Sequence, residues 1–105
     1  MSENELINSV ASEIVKHCSP LNIIIVSNKV NFEGSIVSFK LAVVVKDDTE
    51  SIPELEQQLY MKIDCEIPFD IILYKQSEWI TLSKEIGTFA WKFYNTGVCI
   101  YGQKL

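Results

Sequence analysis

Apolar residues near the start of the chain recur at steps of one, three or four positions: Leu6, Ile7, Val10, Ala11, Ile14 and Val15. This spacing predicts an amphipathic helix over residues 3–17, because it places these side chains on one helix face. Ser19 and Pro20 end the helix, since a residue that precedes proline avoids helical backbone geometry.

Four segments rich in β-branched residues predict strands, and they cover residues 22–27, 36–46, 69–74 and 98–102. The first is an almost unbroken apolar run, which suits a strand that is covered on both faces. The second is rich in valine and gives the strongest strand signal in the chain. Between these two, the polar segment 28–35 contains a glycine and predicts a loop.

Two further helical regions follow the second strand along the sequence. Ser51 to Glu54 has the form of a capping box, and Leu55, Leu59 and Ile63 follow it as one apolar face. After Gln76, apolar residues again fall three or four apart: Trp79, Leu82, Ile86, Phe89, Ala90 and Phe93. Gly87 is expected to split this region into two short helices, the second of which is capped by Thr88.

The order of these elements predicts an α/β (α+β) fold in one domain, residues 1–105. The second and third strands are joined through a helix, which favours a parallel pair with a right-handed crossover. The first two strands have only a loop between them and are expected to be antiparallel. A mixed sheet with helices packed mainly on one face follows.

The charged residues of the chain indicate which kinds of partner the protein is expected to bind. All nine basic residues are lysines, there is no arginine, and the net charge is −5. Arginine is the residue best suited to bidentate phosphate contacts, and a nucleic-acid interface needs a basic stripe, so we expect no nucleic-acid binding. No apolar run approaches the roughly 20 residues that span a bilayer, and the first residues do not form a secretory signal. We therefore expect a cytoplasmic protein without a membrane segment.

Cys18, Cys65 and Cys99 are odd in number and far apart, which argues against a disulfide framework or a zinc site and favours free, buried thiols. His17 beside Cys18 suggests a base and a nucleophile. Neighbouring residues on a helix point in different directions, however, which argues against such a pair.

Two segments in the second half of the chain resemble parts of one known family. Residues 68–74, followed by Ser77-Glu78-Trp79, resemble a strand that carries a catalytic carboxylate and the helix after it. Residues 93–102 resemble a closing helix, a glycine turn and a final strand ending in Tyr-Gly. Together they are similar to the minimal nucleotidyltransferases, relatives of DNA polymerase beta and kanamycin nucleotidyltransferase.

The family's catalytic motif is only partly present. A Gly-Ser turn approaches the nucleotide phosphates, and two aspartates spaced i, i+2 on one strand join a third carboxylate in a site for two metal ions. In the corresponding positions this chain has Ser27 and Asn28 for the Gly-Ser pair, and Ser38 and Lys40 for the two aspartates. Asp70 alone matches a carboxylate of the family.

The resemblance therefore implies a catalytically degenerate domain that holds no metal or other cofactor. Its nucleotide-contacting residues would be Ser27, Asn28 and Lys40. Asp70 would be the one catalytic carboxylate that remains. If Lys40 and Asp70 lie on adjacent strands, their charges either form an ion pair that replaces the metal or both lie in solvent.

Several functions remain open at this point. The resemblance implies binding to a protein, either a helical HEPN-type partner or a second copy of the chain as a homodimer; nucleotide binding without chemistry is a related possibility. The alternative is an active, magnesium-dependent nucleotidyltransferase that uses Asp70 with Glu33 or Asp47, although a charged loop such as 47–50 is more commonly a solvated turn. The aromatic residues from Trp79 to Tyr94 predict core packing or, less commonly, a stacking platform on which Trp91 and Tyr94 are exposed.

Overall fold

The computed structural model describes residues 3–102, with side chains from residue 5 onward. Within this range, four helices and four strands have these bounds: α1 Glu3–Cys18, β1 Asn22–Val30, β2 Ile36–Val45, α2 Ile52–Lys62, β3 Phe69–Lys75, α3 Gln76–Leu82, α4 Phe89–Thr96 and β4 Val98–Tyr101. Every predicted element is present. The first strand is longer than its apolar run, because it continues through polar residues as far as Val30.

The strands form one mixed sheet in the order β3-β2-β1-β4. β1 is antiparallel to β2 and to β4, whereas β2 is parallel to β3, the strand that it reaches through α2. This confirms the predicted α/β class and the predicted directions of the first three strands. The two central strands, β1 and β2, carry the most continuous apolar runs in the chain.

The helices are divided between the two faces of the sheet. Leu41, Val43 and Val45 of β2 pack with α1 and α2, whereas Ala42 and Val44 pack with α3 and α4. All five of these β2 residues are buried, because the sheet is covered on both sides. The expectation that helices lie mainly on one face is therefore corrected: each face carries two.

Both predicted helix caps form. The Ser51 side chain accepts a hydrogen bond from the backbone N–H of Glu54 at 3.3 Å, and the Thr88 hydroxyl accepts one from the N–H of Trp91 at 3.1 Å. Between α3 and α4 the chain makes turns, and Ile86 in these turns is 82% exposed, so it does not belong to the apolar helix face that its spacing predicts.

Gly97 allows the chain to pass close to β1 after α4. A Cβ atom at this position would lie 2.5 Å from Cγ2 of Ile24 and 2.6 Å from the carbonyl oxygen of Phe93. Only glycine fits without displacing these neighbours, and β4 begins at the next residue. The segment that follows α4 can thereby pair with the central strand β1 as β4.

Across residues 3–102, no helix combines the length and the apolar character that crossing a bilayer requires.

Candidate functional site

A polar cleft of about 150 Å³ lies where β1, β2 and β3 come together, and its lining includes the five residues at the positions of the family's catalytic motif. Its lining consists of Ser27, Asn28, Lys29, Ser38, Phe39, Lys40 and Asp70. Lys29 was not predicted as a site residue, because the sequence placed it in the loop 28–35, whereas in the structure β1 continues to Val30.

The strand register explains how these residues meet. Lys40 of β2 lies opposite Asp70 of β3 in the parallel pair, and opposite Ser27 of β1 in the antiparallel pair. Lys29 lies opposite Ser38, two positions farther along the same two strands. Directly paired residues project to the same side of a sheet, so these side chains converge on one face.

A β-bulge at Val26 places Ser27 on this face. Ile25 pairs with Leu41, but Ser27 pairs with Lys40, so Val26 is an extra residue on β1. With regular pairing, Val26 would lie opposite Lys40 and Ser27 would point to the other face. Val26 packs against the α3–α4 core, and the bulge places Ser27 on the same face, where it lines the cleft.

Of the two possibilities that the sequence leaves open for Lys40 and Asp70, the direct ion pair does not form. Within the described residues, no nitrogen–oxygen distance of 4.0 Å or less joins the two side chains, although they are register partners. Asp70 is exposed and Lys40 is half-buried. The cleft therefore holds the charges of Lys29, Lys40 and Asp70 without direct neutralisation between Lys40 and Asp70.

Asp70 also affects a neighbouring tyrosine at the sheet edge. Burial raises the pKa of Tyr60; the hydrogen bond from Ile71 lowers it, and the carboxylates of Asp70 and Glu56 raise it further. The Tyr60 hydroxyl accepts that hydrogen bond from the backbone N–H of Ile71 at 2.6 Å. Tyr60 thus covers a backbone donor on the outer side of the edge strand β3.

Asp47, one of the carboxylates that the enzymatic alternative combines with Asp70, lies away from that residue. Among the described residues, no group of three histidine, cysteine, aspartate or glutamate side chains is placed to hold a metal ion. Asp47 accepts a hydrogen bond from the N–H of Ser77 at 2.9 Å and so stabilises the start of α3. It follows the end of β2, which lies five register steps from the Lys40–Asp70 pair, or roughly 16 Å along the strand.

A second, more apolar cleft of about 220 Å³ adjoins the first and shares Ser27 and Lys40 with it. Its other lining residues come from β1, β3 and α4: Val26, Ile72, Phe89, Lys92 and Phe93. Sequence reasoning missed this cleft, because nothing in the helical spacing of α4 shows which part of the sheet the helix will cover.

The exposed aromatic residue of this region is Phe89. Trp79 is fully buried, Trp91 and Tyr94 are half-buried, and Phe89 is 74% exposed. The prediction that Trp91 and Tyr94 are the exposed members is therefore corrected. The ring of Phe89 stacks on the buried ring of Phe93, with 6.0 Å between centroids.

The remaining candidates have structural roles. His17 contacts Glu13 one helical turn earlier, with 3.3 Å between Nε2 and Oε2. Burial raises the pKa of the Cys18 thiol to about 11, the opposite of what an activated nucleophile requires. Cys18, Cys65 and Cys99 are all free thiols, as predicted.

A larger cavity of about 330 Å³ lies beside α3 and α4, where it is lined by Ile80, Ser83, Lys84 and Tyr94. Its lining carries one charged side chain, whereas the polar cleft carries three, so the polar cleft is the better candidate for a site that recognises charge.

Comparison of the chain with known protein families, with curated proteins and with solved structures finds no match. The candidate site therefore rests on the residues and the geometry of this chain.

Proposed function

We propose that this chain is a nucleotidyltransferase-like domain that acts by binding rather than by group transfer. The observation that carries the proposal is the place of Lys40. It occupies the position where the resemblance expects a second metal-binding aspartate, and it lies opposite Asp70, the position of the third carboxylate. Ser38, Lys40 and Asp70 then stand where three carboxylates are needed, so only one of the three positions is acidic.

The charge at this position disfavours divalent metal ions. At about 4 Å, two unit charges interact by about 4 kcal/mol in the effective dielectric of a protein surface, and the repulsion from a divalent ion would be larger. The same ammonium attracts an anion. Lys29, Lys40, Ser27 and Ser38 provide hydrogen-bond donors along the cleft, and Asn28 adds an amide. A phosphate-bearing ligand such as a nucleotide would therefore bind without a metal ion.

Calorimetric titration with ATP and the other nucleotides, each with and without magnesium, tests this function. We expect binding in the absence of magnesium, and we expect Lys40→Ala to weaken it. Lys62→Ala, which removes an exposed lysine at the end of α2, is the matched control and should leave the affinity unchanged. Binding that requires magnesium and is abolished by Asp70→Ala would instead establish the enzymatic alternative.

Protein binding is the second candidate, and exposed apolar residues in the β1–β2 hairpin favour it. Val30 is 58% exposed, Val37 is 43% exposed, and Phe32 in the turn is fully exposed. Such side chains are characteristic of interaction surfaces when they cluster. The resemblance implies a helical HEPN-type partner or a homodimer as the occupant.

Light scattering coupled to gel filtration, across a wide range of concentrations, tests self-association. A dimer that Phe32→Ser dissociates would support this candidate. Ile86→Ser, a change at a similarly exposed apolar residue outside the hairpin, serves as the control. A chain that remains monomeric throughout would eliminate the homodimer.

A further inference from the structure

The polar and apolar clefts adjoin each other, and together they are called the groove below. They meet at Ser27 and Lys40, which line both. Their volumes are about 150 and 220 Å³, and each alone is smaller than the roughly 300–1,000 Å³ that is typical of small-molecule sites. Together they reach the lower end of that range.

The groove is locally positive on an acidic protein. Lys29 and Lys40 line its polar part, Lys40 and Lys92 its apolar part, and Asp70 is the acidic residue among these lining side chains. The chain as a whole carries a net charge of −5. Three of its nine lysines thus converge on one groove, from β1, β2 and α4, which favours an anionic occupant.

The apolar part provides an aromatic surface. Phe89 is 74% exposed, and one side of its ring stacks on Phe93. The angle between the two ring planes is 22°. Val26 and Ile72 complete the apolar lining. A flat ring stacked on Phe89 would remove apolar surface from water, and its substituents would lie within the reach of flexible lysine side chains.

We propose that this groove binds a small planar aromatic molecule that bears a phosphate group, with the ring on Phe89 and the phosphate between the lysines. The proposal rests on the proposed binding function of the polar cleft, and it specifies the ligand class. Lys40 is the central residue, because it can contact the phosphate from either part of the groove. No metal ion takes part.

The test is a titration of the isotope-labelled protein by nuclear magnetic resonance, without metal ions, using naphthyl phosphate as the probe. Inorganic phosphate and naphthol are the two half-ligands. We expect naphthyl phosphate to bind at least about tenfold more tightly than either half-ligand, since base–aromatic stacking commonly contributes a factor of this size. Amide signals of β1, β2 and α4 should shift together.

Variants distinguish the contribution of the Phe89 ring to binding from the contribution of the lysine charges. Phe89→Leu keeps an apolar side chain at an exposed position, so the fold should persist; we expect it to weaken naphthyl phosphate binding about fivefold or more and to leave inorganic phosphate unaffected. Lys40→Ala should weaken both. Ile86→Ala, an exposed apolar change outside the groove lining, is the control and should change neither.

Each contrary result has a distinct meaning. If naphthyl phosphate and inorganic phosphate bind equally, the aromatic half of the proposal is overturned while anion binding in the polar cleft survives. Equal binding of naphthol and naphthyl phosphate overturns the role of the lysines. If neither phosphate compound binds, the aryl phosphate proposal fails, and the nucleotide titrations described above then decide whether the proposed function fails with it.

Discussion

Lys40 and Asp70 lie directly opposite each other on the parallel strands β2 and β3, yet in the described part of the chain no ion pair of 4.0 Å or less joins them. Their backbones are held in register by the sheet, so their charges share one face whatever the side-chain rotamers are. The Lys40 ammonium is therefore not held by its nearest cross-strand carboxylate, and it can interact with an incoming anion.

Adding two carboxylates to β2 should create a metal site. The double change Ser38→Asp and Lys40→Asp would place two aspartates at i, i+2 on β2, with Asp70 opposite the second. We expect this variant to bind Mn²⁺, as measured by electron paramagnetic resonance, because three converging carboxylates suit a hard divalent cation. The unmodified chain is the control, and a folded double variant that binds no Mn²⁺ would contradict the geometry described for this cleft.

Asp47 should contribute to stability through α3. Lys75, which precedes this helix, provides no capping side chain, and the Asp47 carboxylate accepts the Ser77 N–H instead. Asp47→Ala is expected to lower the free energy of unfolding by about 1 kcal/mol, the usual effect of losing such a cap. Urea denaturation measures this. Asp48→Ala, at the exposed neighbouring position, should have little effect, and equal losses for the two variants would refute the assigned role.

Tyr60 should protect the edge strand β3. Tyr60→Phe keeps the ring that stacks on Phe69 at 5.7 Å but removes the oxygen that accepts the Ile71 N–H. We expect a loss of about 1 kcal/mol in the free energy of unfolding and faster hydrogen exchange at the Ile71 amide. Met61→Ala, at the adjacent and 77% exposed position, provides the comparison. Unchanged exchange at Ile71 in Tyr60→Phe would show that the hydroxyl does not protect it.

Cys18 should resist alkylation at mildly alkaline pH. Burial raises the pKa of its thiol from 9.0 to about 11, so the folded state favours the protonated, unreactive form between these values. The corresponding stabilisation is complete below pH 9 and is lost as the pH rises towards about 11. We expect slow reaction of Cys18 with iodoacetamide at pH 9 in the native protein and fast reaction in urea, as followed by mass spectrometry. Equal rates would contradict burial of this thiol.

The resemblance singled out five residues that the structure places in the lining of the polar cleft, and their role as a binding site stays a prediction. Each of Ser27, Asn28, Ser38, Lys40 and Asp70 lies at a definite place along a strand, and the connections between strands imply which strands are neighbours. The number and kinds of elements also follow from local patterns. Apolar spacing and the caps Ser51 and Thr88 act over a few residues, so their effects are visible in the sequence itself.

The sequence by itself determined the elements and the mixed sheet, whereas the pairing of Lys40 with Asp70 stayed a condition until the strand register was known. Only the tertiary structure decided that helices cover both faces, that a bulge at Val26 turns Ser27 into the cleft, and that Phe89 of α4 lies beside Lys40. The physical reason is the distance along the chain over which each interaction acts. Helix and strand patterns arise from neighbouring residues, whereas strand register and the position of a helix on a sheet depend on how distant surfaces pack together.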